Sequence, residues 1–583
     1  MASQPHFNAP WQSTPVVHIA ETATRPGQIT TPQGELTYIN VSGSIEEMAH
    51  QHGTRLRQKV QTGTIAFFSD YLLKVLANSP LHVAAYTLDW TSQKLLGQKL
   101  KKQVPAEFQR AIAALAAGAE VNEEKVWQAY LMPEIFLWVV GTYHKLLGTR
   151  SAQGLGTPPL FGCTSAIVVP PKGQTTLHGR NFDYFGIDYW DKNQVVAFHH
   201  PDVGLDYVSI TSAGMIGGGI TSMNSAGLTF AMHQHFPREL NLQGVPVGIA
   251  GDYVMRNAHT IDEAVAILRD FPPVAGWTYV MTEGDTGRAA VFEVAPGLEN
   301  LSWIDPKTAN MGYANMYWGA ELKDVEVDFF PEYRRSNEAR QSRVNQCLRE
   351  TSMSTSPLEI AKILGDFNDP ESGEERLLGP TIVNVTTVAS VVFEPEHRRV
   401  WVGAGRTPTC RGWFVPFNLN TGGPDESLEP FMPFPGWHES PQGRAFESYR
   451  KAVAMAAANE PDQAVLMQVE HALALDPDEP YLRVLAGLIS LRLNRGERAE
   501  GAFRRALEGI TRADRRAEIQ LYLAWAYDLL KRRSTAKHLY KEILATPEAD
   551  DIVKKRAHYG KWFRFDADRA KKINVDLVYG GVP

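Results

Sequence analysis

Apolar residues recur at intervals of three and four through residues 44–150, in EEMAHQHGTRLRQKVQTGTIAFFSDYLLKVL, then EFQRAIAALAAGA, then EEKVWQAYLMPEIFLWVVGTYHKLL. That period lines one face of a helix, so this part of the chain is predicted to be mostly helical. The stretch SAQGLGTPPLFG that follows is rich in Gly, Pro and Ser and reads as loop. From Cys163 to about Phe417 the pattern changes to short β-prone runs between turn residues, among them QVVAFHH, DYVSITSAGM, GLTFAMHQHF, WTYVMTEG, RAAVFEVA and TVASVVFEP. Two helical stretches interrupt them, near IDEAVAILRDF and ARQSRVNQCLRE. Strands in groups, with helices set apart from them, predict an α+β fold with layered sheets and not alternating βαβ units.

Residues 418–443 are dense in Pro and Gly and mark either a boundary or a chain wrapping a domain surface. Beyond them the pattern is helical to near the C-terminus. Two segments there match at a fixed offset of 37: Gly487 with Ala524, Ala499 with Ala536, Phe503 with Tyr540, and Ala506 with Ile543. Small residues where helices cross, with an aromatic one turn after the second small residue, resemble the tetratricopeptide repeat (TPR). The excess over that repeat's usual period of about 34 falls in the loop near TRADRR. An earlier degenerate repeat ends at Asp476 and Pro477, which brings the stack close to the minimum for stability. A generic helical hairpin domain is the alternative reading.

At 583 residues the chain exceeds what one hydrophobic core usually supports, so at least two domains are expected. A formal net charge of -7, with no basic stripe, predicts no nucleic-acid partner. No apolar run approaches the roughly 20 residues of a membrane helix. The N-terminus lacks the basic-then-apolar layout of a secretory signal, so a cytoplasmic location is expected, although a chain trimmed of its signal would read the same. Cys163, Cys347 and Cys410 are too few and too scattered for a disulfide framework and form no CxxC pair. No metal or other cofactor is expected.

Candidate chemistry concentrates in FGCTSAIVVPPKGQTTLHGRNFD, residues 161–183. Cys163 follows a small residue and leads a β-prone run, and Arg180 and Asp183 return one hairpin later. The layout predicts a nucleophile on an edge strand with its charge partners on the next strand. A cysteine is only a few per cent thiolate at neutral pH and needs a base or a positive charge beside it. Arg180 supplies the charge, and no histidine stands close in sequence. Alone, a cysteine at a strand start reads as a small buried hydrophobe. His233 and His235 fall on one face of a strand, a spacing that occurs in metal sites, but no third ligand is evident and a non-metal role is expected. Asn224, in SMNSAGL, is expected to shape a turn. The glycines of GMIGGGI fit no phosphate loop and are expected to allow close backbone packing near a substrate cleft.

The segments CTSAIV…HGRNFD, ITSMNSAGLTFA, ANMYW and SRVNQCL together resemble the N-terminal nucleophile (Ntn) hydrolases of the choloylglycine hydrolase and penicillin V acylase group. The resemblance is closer to the acyl-coenzyme A:6-aminopenicillanic acid acyltransferase family, peptidase family C45. VSGSIEEMAHQHGTRLRQ (41–58) is similar to the early part of that family's pro-segment, and the resemblance covers roughly residues 35–415. It implies an αββα Ntn sandwich, divided as a helical pro-segment (1–162) and a catalytic part (163–417). A linker (418–443), TPR-like repeats (444–565) and a tail (566–583) follow.

The resemblance further implies that the chain cuts its own Gly162–Cys163 bond by an N-to-S acyl shift, leaving Cys163 as nucleophile and its freed α-amine as general base. An unperturbed α-amine, with a pKa of about 7.7 to 8.0, suits that task near neutrality. Arg180 would lower the thiol pKa and Asp183 would anchor the amine. Asn315, in ANMYW, and a backbone N–H at Gln234 or His235 would bind the oxyanion. Arg343 matches the family's second active-site arginine, with Arg340, Arg334 and Arg335 as neighbouring alternatives. The implied activity is hydrolysis of a linear, non-peptide C–N amide bond in an N-acyl substrate through an acyl-enzyme thioester, or transfer of the acyl group between a thioester and an amine. The competing expectation is an inactive scaffold whose repeats bind a protein partner.

Overall fold

A computed structural model of the chain describes residues 17–22, 25–77, 85–147, 162–169, 175–304, 310–327, 331–351 and 355–582. The loop expected at SAQGLGTPPLFG lies, up to Phe161, outside the described residues. The strands are β1 (Val17–Ile19), β2 (Gly27–Thr31), β3 (Gly34–Gly43), β4 (Gly162–Val168), β5 (Leu177–Asp183), β6 (Gln194–Pro201), β7 (Tyr207–Ser212), β8 (Thr221–Asn224) and β9 (Leu228–His235). They continue with β10 (Gly276–Glu283), β11 (Ala289–Ala295), β12 (Leu298–Trp303), β13 (Asn310–Tyr313), β14 (Thr387–Glu394), β15 (Arg399–Ala404), β16 (Trp413–Asn418) and β17 (Gly423–Pro424). They form a ten-stranded sheet, β1-β2-β3-β6-β7-β8-β9-β10-β11-β12, and a seven-stranded sheet, β13-β4-β5-β14-β15-β16-β17.

The N-terminal segment is not purely helical. β2 and β3 form a hairpin, and β3 runs parallel to β6, so residues before 44 are built into the larger sheet. The burial of β3 explains why the alternating signal is weak there: Leu36, Thr37, Tyr38 and Ile39 are buried on both faces. Helices then follow as the periodicity predicts. Ile45–Arg55 starts with a capping box, in which the Ser44 hydroxyl accepts from the Glu47 N–H and Glu47 accepts from the Ser44 N–H at 2.8 Å. That helix packs on Ala106–Ala119 with the backbones nearly touching: a Cβ on Gly118 would lie 2.4 Å from the His50 carbonyl oxygen.

The two sheets face each other through β4 and β5 on one side and β9 on the other. Ser165 meets His233 at 2.9 Å and His178 meets Thr229 at 2.9 Å across that layer. Helices cover the outer faces. Val344 of helix Pro331–Glu350 and Ile360 of helix Pro357–Leu364 press on Gly312 and Gly179, where a Cβ would lie 2.2 and 2.3 Å away. On the larger sheet, Phe230 packs on Gly251 of helix Ile249–Asn257.

Residues 418–443 wrap the smaller sheet: β17 pairs with β16, Phe431 bridges to Phe414, and the Arg411 guanidinium stacks 3.6 Å from the Phe434 ring centroid. Helical hairpins follow, Pro441–Ala457 with Asp462–Leu475, Pro480–Arg492 with Gly496–Gly509, and Ala513–Leu529 with Arg533–Ala545, then Asp551–Trp562. The Phe503 ring fills the space a side chain at Gly487 would need, and the Tyr540 ring does the same at Gly560. The hairpins do not stand apart from the sheets. One apolar core runs from Phe230 and Val392 through Tyr333 and Leu377 to Tyr449 and Leu485. The tail returns to that junction, where Tyr449 Oη donates to the Leu577 carbonyl at 2.7 Å. No described helix is long and apolar enough to cross a membrane.

Candidate active site

Strand register sorts the site into two faces. Gly162 lies opposite Asp183, Cys163 opposite Phe182 and Ser165 opposite Arg180. Alternation therefore sends Cys163, Ser165, Arg180 and Phe182 into the layer between the sheets, and Gly162 and Asp183 to the helix side. β4 is not an edge strand, because β13 covers it, but that pairing stops at Ser165. The N–H of Cys163 is thus left without a strand partner, and Asn315 Oδ1 accepts it at 2.6 Å.

Arg180 Nη2 is 3.5 Å from Cys163 Sγ and also donates to the Met232 carbonyl, while Nη1 donates to the Ile220 carbonyl at 2.9 Å. Cys163 is buried, and burial pushes its thiol above the usual value despite the pull of Arg180. Asp183 Oδ1 accepts from Thr387 Oγ1 at 2.7 Å. Its Oδ2 has no partner among the described residues, and a Cβ on Gly162 would sit 2.8 Å from it. Burial pushes the Asp183 carboxyl up to about 6. Any residue larger than glycine at position 162 would collide with that carboxylate.

Asn315 joins the two expected oxyanion elements. Its Nδ2 donates to the Gln234 carbonyl at 2.9 Å, and the second Nδ2 proton has no acceptor among the described residues. Strand alternation separates Gln234 from His235. The N–H of Met232 bonds to Ile220, away from β10, and its carbonyl meets Arg180 and Cys163. Gln234 shares that direction, two residues on, whereas His235 turns its backbone toward β10. The His235 ring is held by Glu326 at 2.7 Å and Tyr313 Oη at 2.9 Å.

The structure brings Arg340, not Arg343, to Cys163. Arg340 Nη1 donates to the Cys163 carbonyl at 2.5 Å and to Thr164 Oγ1 at 3.2 Å, and Nη2 donates to Asn337 Oδ1 at 2.5 Å. Arg343 instead makes a two-point pair with Asp366, at 2.9 and 2.7 Å. Arg335 and Arg334 point to the helical hairpins. A signal in the sequence separates these arginines: Arg340 lies on the stripe Tyr333, Asn337, Arg340, Val344, Leu348 at three- and four-residue spacing, and Arg343 does not. Glu293 carried no such signal. It accepts from the backbone N–H of Trp318 at 2.6 Å and Gly319 at 2.9 Å, and so fixes the loop that carries Asn315.

His178, Ser165 and His233 form a buried relay next to Cys163, at 3.3 and 2.9 Å. Burial pushes His178 down to about 3 and His233 well below its usual value, so both rings are neutral. Among the described residues no group of three or more His, Cys, Asp or Glu could hold a metal ion. Asn224 closes the β8–β9 turn, accepting from the Leu228 N–H at 3.1 Å and donating to the Ala258 carbonyl at 2.7 Å. Gly219 abuts the backbone of Gly248, where a Cβ would lie 1.8 Å from a carbonyl oxygen. Both line a cavity of ≈ 40 Å³ beside Arg180, walled by Phe182, Tyr184, Trp190, Phe108, Tyr130 and Met232.

Residues 170–408 match the family model described as acyl-coenzyme A:6-aminopenicillanic acid acyl-transferase. The match takes in Arg180, Asp183, Asn315 and Arg340 and begins shortly after Cys163. No curated protein matches the chain.

Proposed function

We propose that the protein is an N-terminal nucleophile enzyme of acyltransferase or hydrolase type. It cuts its own Gly162–Cys163 bond and then opens a linear C–N amide bond of an N-acyl substrate through a thioester on Cys163. The observation that carries this reading is that the polar groups converge on the nitrogen of Cys163 as well as on its sulfur. Asn315 Oδ1 receives that N–H, and the one unpartnered oxygen of Asp183 lies against Gly162. An enzyme with a histidine base has no need of groups around the backbone nitrogen of its nucleophile. The match to the acyl-transferase family model supports the same chemistry.

In the first step Cys163 Sγ attacks the Gly162 carbonyl, the C–N bond breaks, and the amide nitrogen leaves as an amine. Water then hydrolyses the thioester, releasing the Gly162 carboxylate and the Cys163 thiol. In turnover the α-amine takes the thiol proton, and the thiolate, beside Arg180, attacks the acyl carbonyl. The oxyanion is met by the Gln234 N–H and the second Nδ2 proton of Asn315. The tetrahedral adduct collapses as the ammonium returns its proton to the departing amine. Water, or an acceptor amine, takes the acyl group from sulfur. Arg340 holds the Cys163 carbonyl, fixing the new chain end in register.

Wild-type protein is expected to run as two fragments on a denaturing gel, with Cys at the start of the second, and to hydrolyse a chromogenic N-acyl amide. A Cys163→Ala chain is expected to stay whole and inactive. An intact wild-type chain whose Cys163 resists alkylation at neutral pH would falsify the proposal.

A further inference from the structure

The last described residues fold into a closed turn that presents one aromatic ring to the helix carrying Arg340. The Asp576 N–H donates to the Gly581 carbonyl at 2.9 Å, and the Asp576 carbonyl accepts from the N–H of Gly580 at 3.1 Å and of Gly581 at 3.2 Å. The Asp576 carboxylate caps the turn, accepting from the Val578 N–H at 2.7 Å and the Tyr579 N–H at 3.0 Å. The hairpins hold the turn at several points. Besides the bond from Tyr449 to Leu577, Arg515 Nη2 donates to the Gly580 carbonyl, Arg556 Nη1 donates to the Val582 carbonyl at 2.9 Å, and Tyr522 Oη accepts from the Val582 N–H at 3.1 Å. Buried backbone groups satisfied in this way fix the position of the turn. On its other side Gly581 abuts helix Pro331–Glu350, where a Cβ would collide with the Glu332 carboxyl. The turn is a wedge between the hairpins and that helix.

Tyr579 is the ring the wedge presents. It is buried and packs edge-on against Tyr333, with ring centroids 5.6 Å apart and planes at 80°. Tyr333 lies one helical turn before Asn337, whose side chain hydrogen-bonds the Tyr333 hydroxyl. Asn337 Nδ2 donates to the Asn315 carbonyl at 3.2 Å, and Asn337 Oδ1 accepts from Arg340 Nη2 at 2.5 Å. A continuous run of contacts therefore leads from the tail to the two groups that hold Cys163: Asn315 Oδ1, which accepts its N–H, and Arg340, which donates to its carbonyl. The matched family model ends at residue 408, so the wedge lies outside it.

We infer that Tyr579 is a positioning residue for Cys163: the tail presses its ring on Tyr333, and that contact sets Asn337, and through it Asn315 and Arg340, in place around the nucleophile. The hairpins then act on the site from behind and need no opening to the thiol. The inference rests on the reading of Cys163 as the nucleophile, and hydrogen exchange at its backbone, which needs no turnover, tests the two apart.

The first measurement is hydrogen exchange at residue 163 in the full chain with Cys163→Ala, which keeps the N–H that Asn315 accepts. Adding Tyr579→Ala is expected to speed that exchange by about tenfold, as a local opening does, and Tyr579→Phe, which keeps the ring, is expected to match the parent. Tyr333→Phe keeps the ring contact and breaks the link to Asn337, so it is expected to reproduce the faster exchange. Tyr540→Phe, which loses its bond to Asp528 at 2.9 Å inside the hairpins, is expected to lower the denaturation midpoint and leave residue 163 protected. Unchanged exchange in Tyr579→Ala or in Tyr333→Phe, or equal acceleration by Tyr540→Phe, overturns the inference. With Cys163 present, Tyr579→Ala is expected to lower kcat for a chromogenic N-acyl amide by up to about 100-fold at unchanged KM, the effect of a misplacement of about 1 Å, and Tyr579→Phe to restore it. A kcat that survives Tyr579→Ala sinks the inference and spares the amide chemistry, whereas faster exchange in a protein that neither cuts itself nor turns over amide does the reverse.

Discussion

Helix Pro331–Glu350 touches two buried charge clusters that are balanced in opposite ways. Toward the hairpins, Arg335 meets Asp514 and Glu518 at 2.8 Å, together with Asp550 and Glu332, and Arg515 meets Glu332 at 2.7 Å and Glu518 at 2.5 Å. Toward the sheets, Arg340 and Arg180 meet carbonyls, amides and a thiol, and neither has a carboxylate in ion-pair range among the described residues. The first cluster has its negative charge built in. The second has two guanidinium groups and one carboxylate, Asp183, so in the proposed reaction the charge that completes it would arise as a thiolate or an oxyanion. The same helix thus carries a joint and a site, one turn and a half apart.

The contrast breaks most visibly at the joint. Arg335→Ala strands several buried carboxylates, and removing one partner of a buried ion cluster costs about 3–5 kcal/mol. The expected result is a large loss in denaturation midpoint. A midpoint within a degree of wild type would mean that the hairpins dock by apolar contact alone. At the site the expected loss is in rate. Asn315→Ala should lower kcat by ~100- to 1,000-fold, as removal of an oxyanion donor does, with the fold intact by circular dichroism.

A subtler difference is the response to pH. Asp183 titrates at about 6 in the folded chain, above the usual value of 3.8, so folding favours its protonated form. Its ionisation therefore weighs against the fold at pH 7, and that penalty is relieved as pH falls through 6 toward 4. The proposed chemistry would run the other way, because only the carboxylate could take the charge of the new amine. Self-cutting of freshly folded chain should slow by about tenfold per unit below pH 6, and Asp183→Asn should abolish the inflection. A rate that is flat from pH 5 to 7.5 removes Asp183 from the step. The smallest effect is expected at Arg343, whose partly exposed pair with Asp366 is worth up to about 1 kcal/mol. Arg343→Ala should leave kcat unchanged, while Arg340→Ala should not.

Much of this was legible in the sequence where local pattern and tertiary role coincide. The β-rich middle, the hairpin helices and the Cys163 hairpin partner Arg180 follow from periodicity and spacing alone. β3 was not legible, because a strand buried on both faces loses its alternation. The edge-strand expectation failed for a related reason: β13, which covers β4, comes from far along the chain, and nothing near Cys163 announces it. The separate standing of the hairpins could not be judged from sequence either. Their boundary is rich in Pro and Gly, yet the contacts that fuse them to the catalytic part are made by Tyr449, Tyr481 and the tail, residues that read as ordinary core.

The parallel pairing of β3 with β6 carries a consequence for the life history of the molecule. The proposed cut at Gly162–Cys163 would leave β3 in one fragment and β6 in the other, joined as neighbours within one sheet. The uncut precursor folds as one chain, at a rate independent of concentration. A cut pair, once unfolded, would have to find its partner again by diffusion, and a sheet with one pairing between separate chains would refold with an order of two. The proposed maturation would therefore make folding a one-way event, and the cut protein would persist by the slowness of its unfolding and not by its capacity to recover.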